Sequence, residues 1–341
     1  MAKEKLEDLE WTNLGFKYRD LPYSFQAVYK DGAWQEGGLT EDSTIVLSEA
    51  AQVLHYGQEV FEGLKAYRWK DGSLHLFRPE ENAARLRRSA ERMSMAPYPE
   101  DKFVEACKEV VKANADFVPP YGSGGTLYLR PFLIGSEPIV GVDAAQEYIF
   151  RIYATPVGAY INGLHPAAYM VSAYDRAAHA GTGRAKTSGN YAASLYPHEL
   201  AKKLGYADAL YLDPREHKYV DEFGGANFFG ITKEGNFVTP KSVSVLPSIT
   251  KKSLLVVAQD LGLNPQEVRI PFDEIDDLVE AGAMGTAAVI SPVGSLTYND
   301  EKHVFYSETE AGPITTKLYE TLTGIQNGDL PDTHNWTVPV E

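Results

Sequence analysis

The sequence predicts a mixed α/β chain divided into two domains. Three observations carry that reading. The chain has 341 residues, room for roughly two domains, and 44% of them are hydrophobic, enough for a sizeable core. Runs of branched and aromatic residues joined by Asp-Gly turns are interspersed with segments of helical apolar spacing. The order of these segments is not the regular alternation of a βαβ array.

The elements follow in order. Asp31-Gly32 and Asp71-Gly72 mark hairpin turns between strand-like runs. Residues 80–95 and 100–115 have helical apolar spacing. Residues 126–134 and 147–155 read as strands. Gly158, Gly163 and Pro166 mark residues 158–166 as a linker, so that 1–157 and 167–341 form the two domains. In the second half, 167–174 reads as a strand, and 191–204 as a helix with Gly205 as its C-cap. Strands are expected near 209–212 and 218–222, and a hairpin over 228–238 with Glu234-Gly235-Asn236 at its tip. Helices are expected over 250–261, 273–281 and 313–327.

Composition excludes several functions. The net charge of −15 argues against a nucleic-acid backbone or an anionic membrane as partner, because both recruit clustered Lys and Arg. Cys107 is the single cysteine, so the chain can form neither an internal disulfide nor a CxxC metal or redox pair. A reducing, cytoplasmic location is expected. The charged N-terminal run Met1–Asp8 has no apolar core, which predicts no signal peptide. No apolar run approaches the roughly 20 residues that span a bilayer.

Lys186 is the most informative residue. It lies in Gly181-Thr-Gly-Arg-Ala-Lys186-Thr-Ser-Gly-Asn-Tyr191, among small residues that let the backbone approach a bound group. A lysine held away from bulk water can lose its proton and attack a carbonyl. A phosphate-binding P-loop is excluded, because the two glycine positions of that motif are Ala180 and Ala185. The glycines of Tyr121–Thr126 precede a strand instead of following one, so they form a turn and no dinucleotide fingerprint.

Lys186-x-x-Gly189-Asn190-Tyr191 is followed by Glu222-x-x-x-x-Asn227, Leu246-Pro-x-Ile-Thr250 and Gly285-Thr286-Ala287. It is preceded by Leu54-His-Tyr56-Gly-Gln-Glu-Val-Phe61-Glu-Gly-Leu-Lys-Ala66, Phe77-Arg-Pro, Tyr128-Leu-Arg130-Pro and Pro156-Val-Gly-Ala-Tyr160. From about residue 50 to about residue 300, in order, these blocks resemble the branched-chain amino-acid aminotransferases, pyridoxal-phosphate (PLP) enzymes of fold type IV. The resemblance implies two α/β domains with the cofactor in the cleft between them.

It also implies roles. Lys186 would hold the cofactor aldehyde covalently and then move the α-proton, for which a base must lie within hydrogen-bond reach. Glu222 would pair with the pyridine nitrogen and keep it protonated. Tyr191 would hydrogen-bond the phenolic oxygen. Arg85 would meet the phosphate with a guanidinium fork, joined by Ile249 and Thr250 at a helix start and by Thr286. Asn227 matches a position beside the cofactor. Tyr56, Phe61, Tyr128 and Tyr160 match pocket residues. An aromatic pocket suits leucine, isoleucine and valine, since apolar burial yields about 0.8 kcal/mol per methylene. Arg130 is the candidate for the side-chain carboxylate of glutamate, and Thr286 and Ala287 for the α-carboxylate.

Two positions depart from family patterns. Gly225 stands where some members carry threonine, and Ala288 and Ser291 stand where some carry a CxxC pair, so no thiol switch is expected. The expected reaction moves the amino group of leucine, isoleucine or valine to 2-oxoglutarate by a ping-pong route in a homodimer, without metal, nucleic acid or membrane. The rivals are another fold-type-IV enzyme (a D-amino-acid aminotransferase or aminodeoxychorismate lyase) and a non-catalytic PLP-binding protein.

Overall fold

A computed structural model describes residues 3–158 and 164–341; Tyr160 and part of the expected linker lie outside them. The chain divides into two units. Of the described residues, the first unit holds those up to 158 together with 185–188 and 325–341, and the second holds 164–184 and 189–324. The two short returns to the first unit rest on contacts distant in sequence. Strand Thr337–Pro339 pairs antiparallel with Leu74–Phe77, Trp69 Nε1 donates to the Gln326 carbonyl at 3.0 Å, and 185–188 is hydrogen-bonded to 57–61.

The first unit is built on an antiparallel sheet. Its order is Thr337–Pro339, Leu74–Phe77, Leu64–Arg68, Thr126–Gly135, Tyr148–Val157, Ser24–Lys30, Ala33–Trp34. The strand Glu59–Phe61 joins beside Thr126–Gly135, with Phe61 opposite Phe132. Two helices cover the sheet. Pro79–Arg92 starts with proline at a position where its missing N–H costs nothing, carries Glu80 and Glu81 in the first turn and Arg92 in the last, and so agrees with the helix dipole. Glu100–Ala113 buries Phe103, Cys107 and Val110. Phe150 stacks on Tyr98 at 4.0 Å in the core beneath.

The second unit is a mixed sheet in which six strands form a ring: Val220–Phe223, Ala209–Leu212, Ala167–Val171, Val289–Tyr298, Leu278–Gly285 and Asn227–Thr232. The ring closes because Glu222 pairs with Asn227 across the tight link 224–226. All four residues of Val220–Phe223 are buried.

Helix Pro313–Asn327 and the hairpin Asn227–Thr232/Asn236–Pro240 match the sequence reading. The helix expected at 191–204 runs Ser188–Lys203, and Gly205 follows it with φ +87°. Two strands are shorter than expected, because local side-chain bonds divert their ends. Tyr174 N bonds Ser172 Oγ, ending Ala167–Val171. Lys218 N and Tyr219 N bond Asp213 Oδ1, delaying Val220–Phe223.

The helix expected at 273–281 is a correction. Phe272–Asp277 is a 3₁₀ turn and Leu278–Gly285 a buried strand paired on both sides, with Asn227–Thr232 and Val289–Tyr298. Ladder bonding on two edges overrides the helical spacing of Ile275, Leu278 and Val279. Gly282 belongs to this packing, since a Cβ there would overlap the Phe229 ring.

Candidate active site

In the first unit, helix Pro79–Arg92 turns a polar stripe inward. Asn82, Arg85 and Ser89 follow the three- and four-residue spacing of one helix face, and all are buried. Glu62, fully buried, meets that stripe. Arg85 Nε donates to Glu62 Oε1 at 2.7 Å and Arg85 Nη2 to Glu62 Oε2 at 2.7 Å. Asn82 Nδ2 donates to Glu62 Oε2 at 2.7 Å. A bidentate fork of this kind fixes the plane of the guanidinium. One turn further, Ser89 Oγ accepts from Lys186 N at 2.9 Å.

Lys186 is therefore held at its backbone. Its carbonyl accepts from Phe61 N at 3.0 Å, and Thr187 Oγ1 donates to the Glu59 carbonyl at 2.7 Å. Ala185 and Thr187 on either side are buried, and Lys186 is half-buried. Its Nζ lies 4.7 Å from the centre of the Phe61 ring. This is no solvated loop lysine. Arg130 reaches the same ring, 5.0 Å from its centre, and its Nη2 donates to Tyr128 Oη at 3.2 Å. Phe61, Tyr128, Arg130 and Lys186 are thus brought together. Around them, burial raises the Glu59 carboxyl against the lowering pull of Ser188 and Arg130. Burial also pushes the Lys65 ammonium, opposite Tyr128 in register, down to about 8. Tyr56 is engaged elsewhere, its hydroxyl donating to the Val140 carbonyl at 2.7 Å from an exposed position.

In the second unit the ring closure concentrates the polar groups. Asn227 Nδ2 donates to Glu222 Oε2 at 2.6 Å, and Leu246 N to Glu222 Oε1 at 2.9 Å. The Leu246 carbonyl also accepts from Asn227 Nδ2 at 3.2 Å, so one residue brackets both side chains. Arg176 Nη2 lies 2.6 Å from Glu222 Oε1. Burial pushes the Glu222 carboxyl up to about 7, while Arg176 and the Leu246 N–H pull it down. Asn227 stands opposite Met284 in the next strand, two residues before Thr286. Thr286 and Ala287 form the turn that follows at that strand end.

Beyond Leu246 the chain enters helix Ile249–Asp260. Its N-cap is Ser248, whose Oγ accepts from Lys251 N at 3.2 Å. Ile249 and Thr250 occupy the first turn, where the N–H groups have no intrahelical acceptor and the dipole favours an anion. Tyr191 lies in the first turn of Ser188–Lys203, next to Asn190, which is locked to Thr182 by two side-chain bonds.

Sequence reading missed Glu62, Ser89 and Arg176. Glu62 stood inside a quoted motif, but a charged residue is buried only with a partner, and nothing local names Arg85 as that partner. Gly183 carried a further signal. A Cβ there would overlap backbone atoms of Ser244, so only glycine lets the loop before Lys186 pass that close.

Residues 59–296 match the family model described as amino-transferase class IV. The fold is that of an aminotransferase of that class. A branched-chain-amino-acid aminotransferase of Haemophilus influenzae is 56% identical over 343 residues, covering 98% of this chain and 100% of the relative. The chain belongs to the branched-chain-amino-acid aminotransferases of class IV. The crystal structure of the Thermoproteus uzoniensis branched-chain aminotransferase with norvaline superimposes with a TM-score of 0.78 at 29% identity, covering 92% of this chain and 99% of that one. The PLP form of the Thermobaculum terrenum enzyme superimposes with a TM-score of 0.78 at 25% identity, covering 94% and 98%.

PLP is the cofactor of this class, and the residues fit it. Glu222 is a buried carboxylate oriented by three donors, as a pyridine nitrogen partner requires. Asn227 Oδ1 beside it is buried without a hydrogen-bond partner. The capped start of Ile249–Asp260 has first-turn N–H groups of the kind that can hold a phosphate.

Proposed function

We propose that this chain exchanges the amino group between L-leucine, L-isoleucine or L-valine and 2-oxoglutarate, in a ping-pong cycle. The observation that carries the reading is the placement of the Lys186 amine over the Phe61 ring, with the Arg130 guanidinium over the same ring and bonded to Tyr128. An amine, an apolar face and a cation are what a site must hold if it takes both an aliphatic and an acidic side chain. The relative solved with norvaline supports an aliphatic side chain as ligand.

Bound PLP supplies an aldehyde that takes up amino groups and a ring that accepts electrons. The chain's residues do the rest. Lys186 Nζ would hold the cofactor and is the base for the proton on the substrate Cα. Glu222 holds the proton on the pyridine nitrogen, and Asn227 and Leu246 N keep its carboxylate aimed. Tyr191 donates to the phenolic oxygen. Arg85, its plane set by Glu62, meets the phosphate together with the N–H groups of Ile249 and Thr250 and the Thr286 hydroxyl. The amides of Thr286 and Ala287 receive the α-carboxylate. Phe61 and Tyr128 line the side-chain pocket, and Arg130 receives the distal carboxylate of glutamate.

A cytoplasmic homodimer belongs to the same proposal. The single cysteine, the free and buried Cys107, accords with a reducing compartment.

Turnover of L-leucine and D-alanine, each with 2-oxoglutarate, tests the substrate. L-leucine is expected to exceed D-alanine by at least about 100-fold in kcat/KM, on the order of the 2.7 kcal/mol that one misplaced polar contact removes. Preference for D-alanine would assign the chain to a different reaction of the same fold.

A further inference from the structure

Glu222 is buried, and so is the cation against it. Arg176 leaves the strand Ala167–Val171 through a short loop and is only 6% exposed. Through Nη2 it meets Glu222 Oε1 at 2.6 Å, the Gly183 carbonyl at 3.0 Å and the Ser244 carbonyl. The two carbonyls belong to the segment that leads into Lys186 and to the segment that leads into Leu246, the residue bracketing Glu222.

Two neutral carbonyls need only a donor; a buried carboxylate needs a positive charge to stay ionised. Other charges near Glu222 do not substitute for Arg176. Asp221, its neighbour on the strand, is buried and of like charge. Lys251, on the helix behind Leu246, is already paired with Glu267 at 2.6 Å. Asn227 and Leu246 N aim the carboxylate but carry no charge.

We propose that Arg176 is the positioning residue that keeps the Glu222 carboxylate ionised and fixed for the pyridine nitrogen. The inference rests on the reading of Glu222 as that nitrogen's partner. Without Arg176, burial acts on Glu222 against only the Leu246 N–H and the weaker pull of Lys251, and favours the neutral acid. A neutral acid cannot balance a protonated pyridine, so the cofactor ring would lose its electron-accepting form. All three acceptors meet the one Nη2, so a lysine there would keep the charge but lose the planar guanidinium that aims it.

The test follows the Glu222 carboxyl stretch by infrared difference titration of the PLP-free protein, identified by its absence in E222Q, in wild type, R176M and R176K. The titration midpoint is expected to rise by at least about one pH unit in R176M, a tenfold change in the ionisation constant. In R176K it should rise by less. The holoenzymes give a second readout, in which the acidic limb of the kcat profile moves to higher pH in the same order. An unchanged midpoint and limb in R176M, with only stability lost, would overturn the proposal and leave Arg176 a staple between two loops. If R176M does not fold, R176Q, which also removes the charge, decides in its place, and a wild-type midpoint in it overturns the proposal. The companion reading fails separately: wild-type turnover in E222Q would remove Glu222 from the cofactor, while the infrared midpoint still reports whether Arg176 sets its charge.

Discussion

Lys186→Ala is expected to lower transamination by more than about 10⁴-fold, the upper range for loss of a positioned proton-transfer group, with loss of covalent attachment added. The visible absorbance of the bound cofactor should change at the same time, because the protein no longer supplies the amine that holds the aldehyde. Folding should be nearly untouched. The backbone contacts that fix this position run through Lys186 N, Lys186 O and Thr187 Oγ1, none of which the substitution removes. Steady-state turnover, an absorbance spectrum and a urea titration on one preparation check all three. Residual activity within a factor of ten of wild type would contradict the assignment.

The second large effect is on stability. Glu62→Ala leaves the Arg85 guanidinium buried without its carboxylate, and a broken buried pair costs about 3–5 kcal/mol. The pair is bidentate at 2.7 Å on both arms, with Arg85 4% and Glu62 0% exposed, so solvent cannot take over. Equilibrium urea unfolding of the PLP-free protein should show this loss, and affinity for PLP should fall with it because the plane of Arg85 is no longer set. A loss under about 1 kcal/mol, the usual value of an exposed pair, would mean that Glu62 does not hold Arg85.

The candidate site was legible in the sequence where its residues stand in short motifs. Lys186, Tyr191, Glu222, Asn227 and the Ile249-Thr250 pair stand in runs whose spacing the fold preserves. Helix Pro313–Asn327 was legible to the residue from its periodicity. What supports the chemistry was not. Ser89 meets Lys186 across 97 residues, and Arg176 meets Ser244 across 68. Such partners are fixed by the ring closure at Glu222 and Asn227 and by the inward stripe of Pro79–Arg92, and neither pattern names its distant partner. The error at 273–281 has the same origin. A strand bonded on both edges takes its shape from its neighbours, and Leu278–Gly285 follows Asn227–Thr232 and Val289–Tyr298 instead of its own spacing. The return of 325–341 to the first unit also depends on a pairing, Thr337–Pro339 with Leu74–Phe77, invisible from either segment alone.

The most direct test of the account is the visible absorbance of the PLP-loaded protein before and after L-isoleucine, with no oxo acid present. The account expects a yellow protein that bleaches on adding L-isoleucine and regains its colour with 2-oxoglutarate, which reports cofactor attachment, amino transfer and the identity of the acceptor in one cuvette. A yellow protein unmoved by L-isoleucine would contradict the substrate, and a protein that stays colourless after reconstitution with PLP would contradict the role of Lys186.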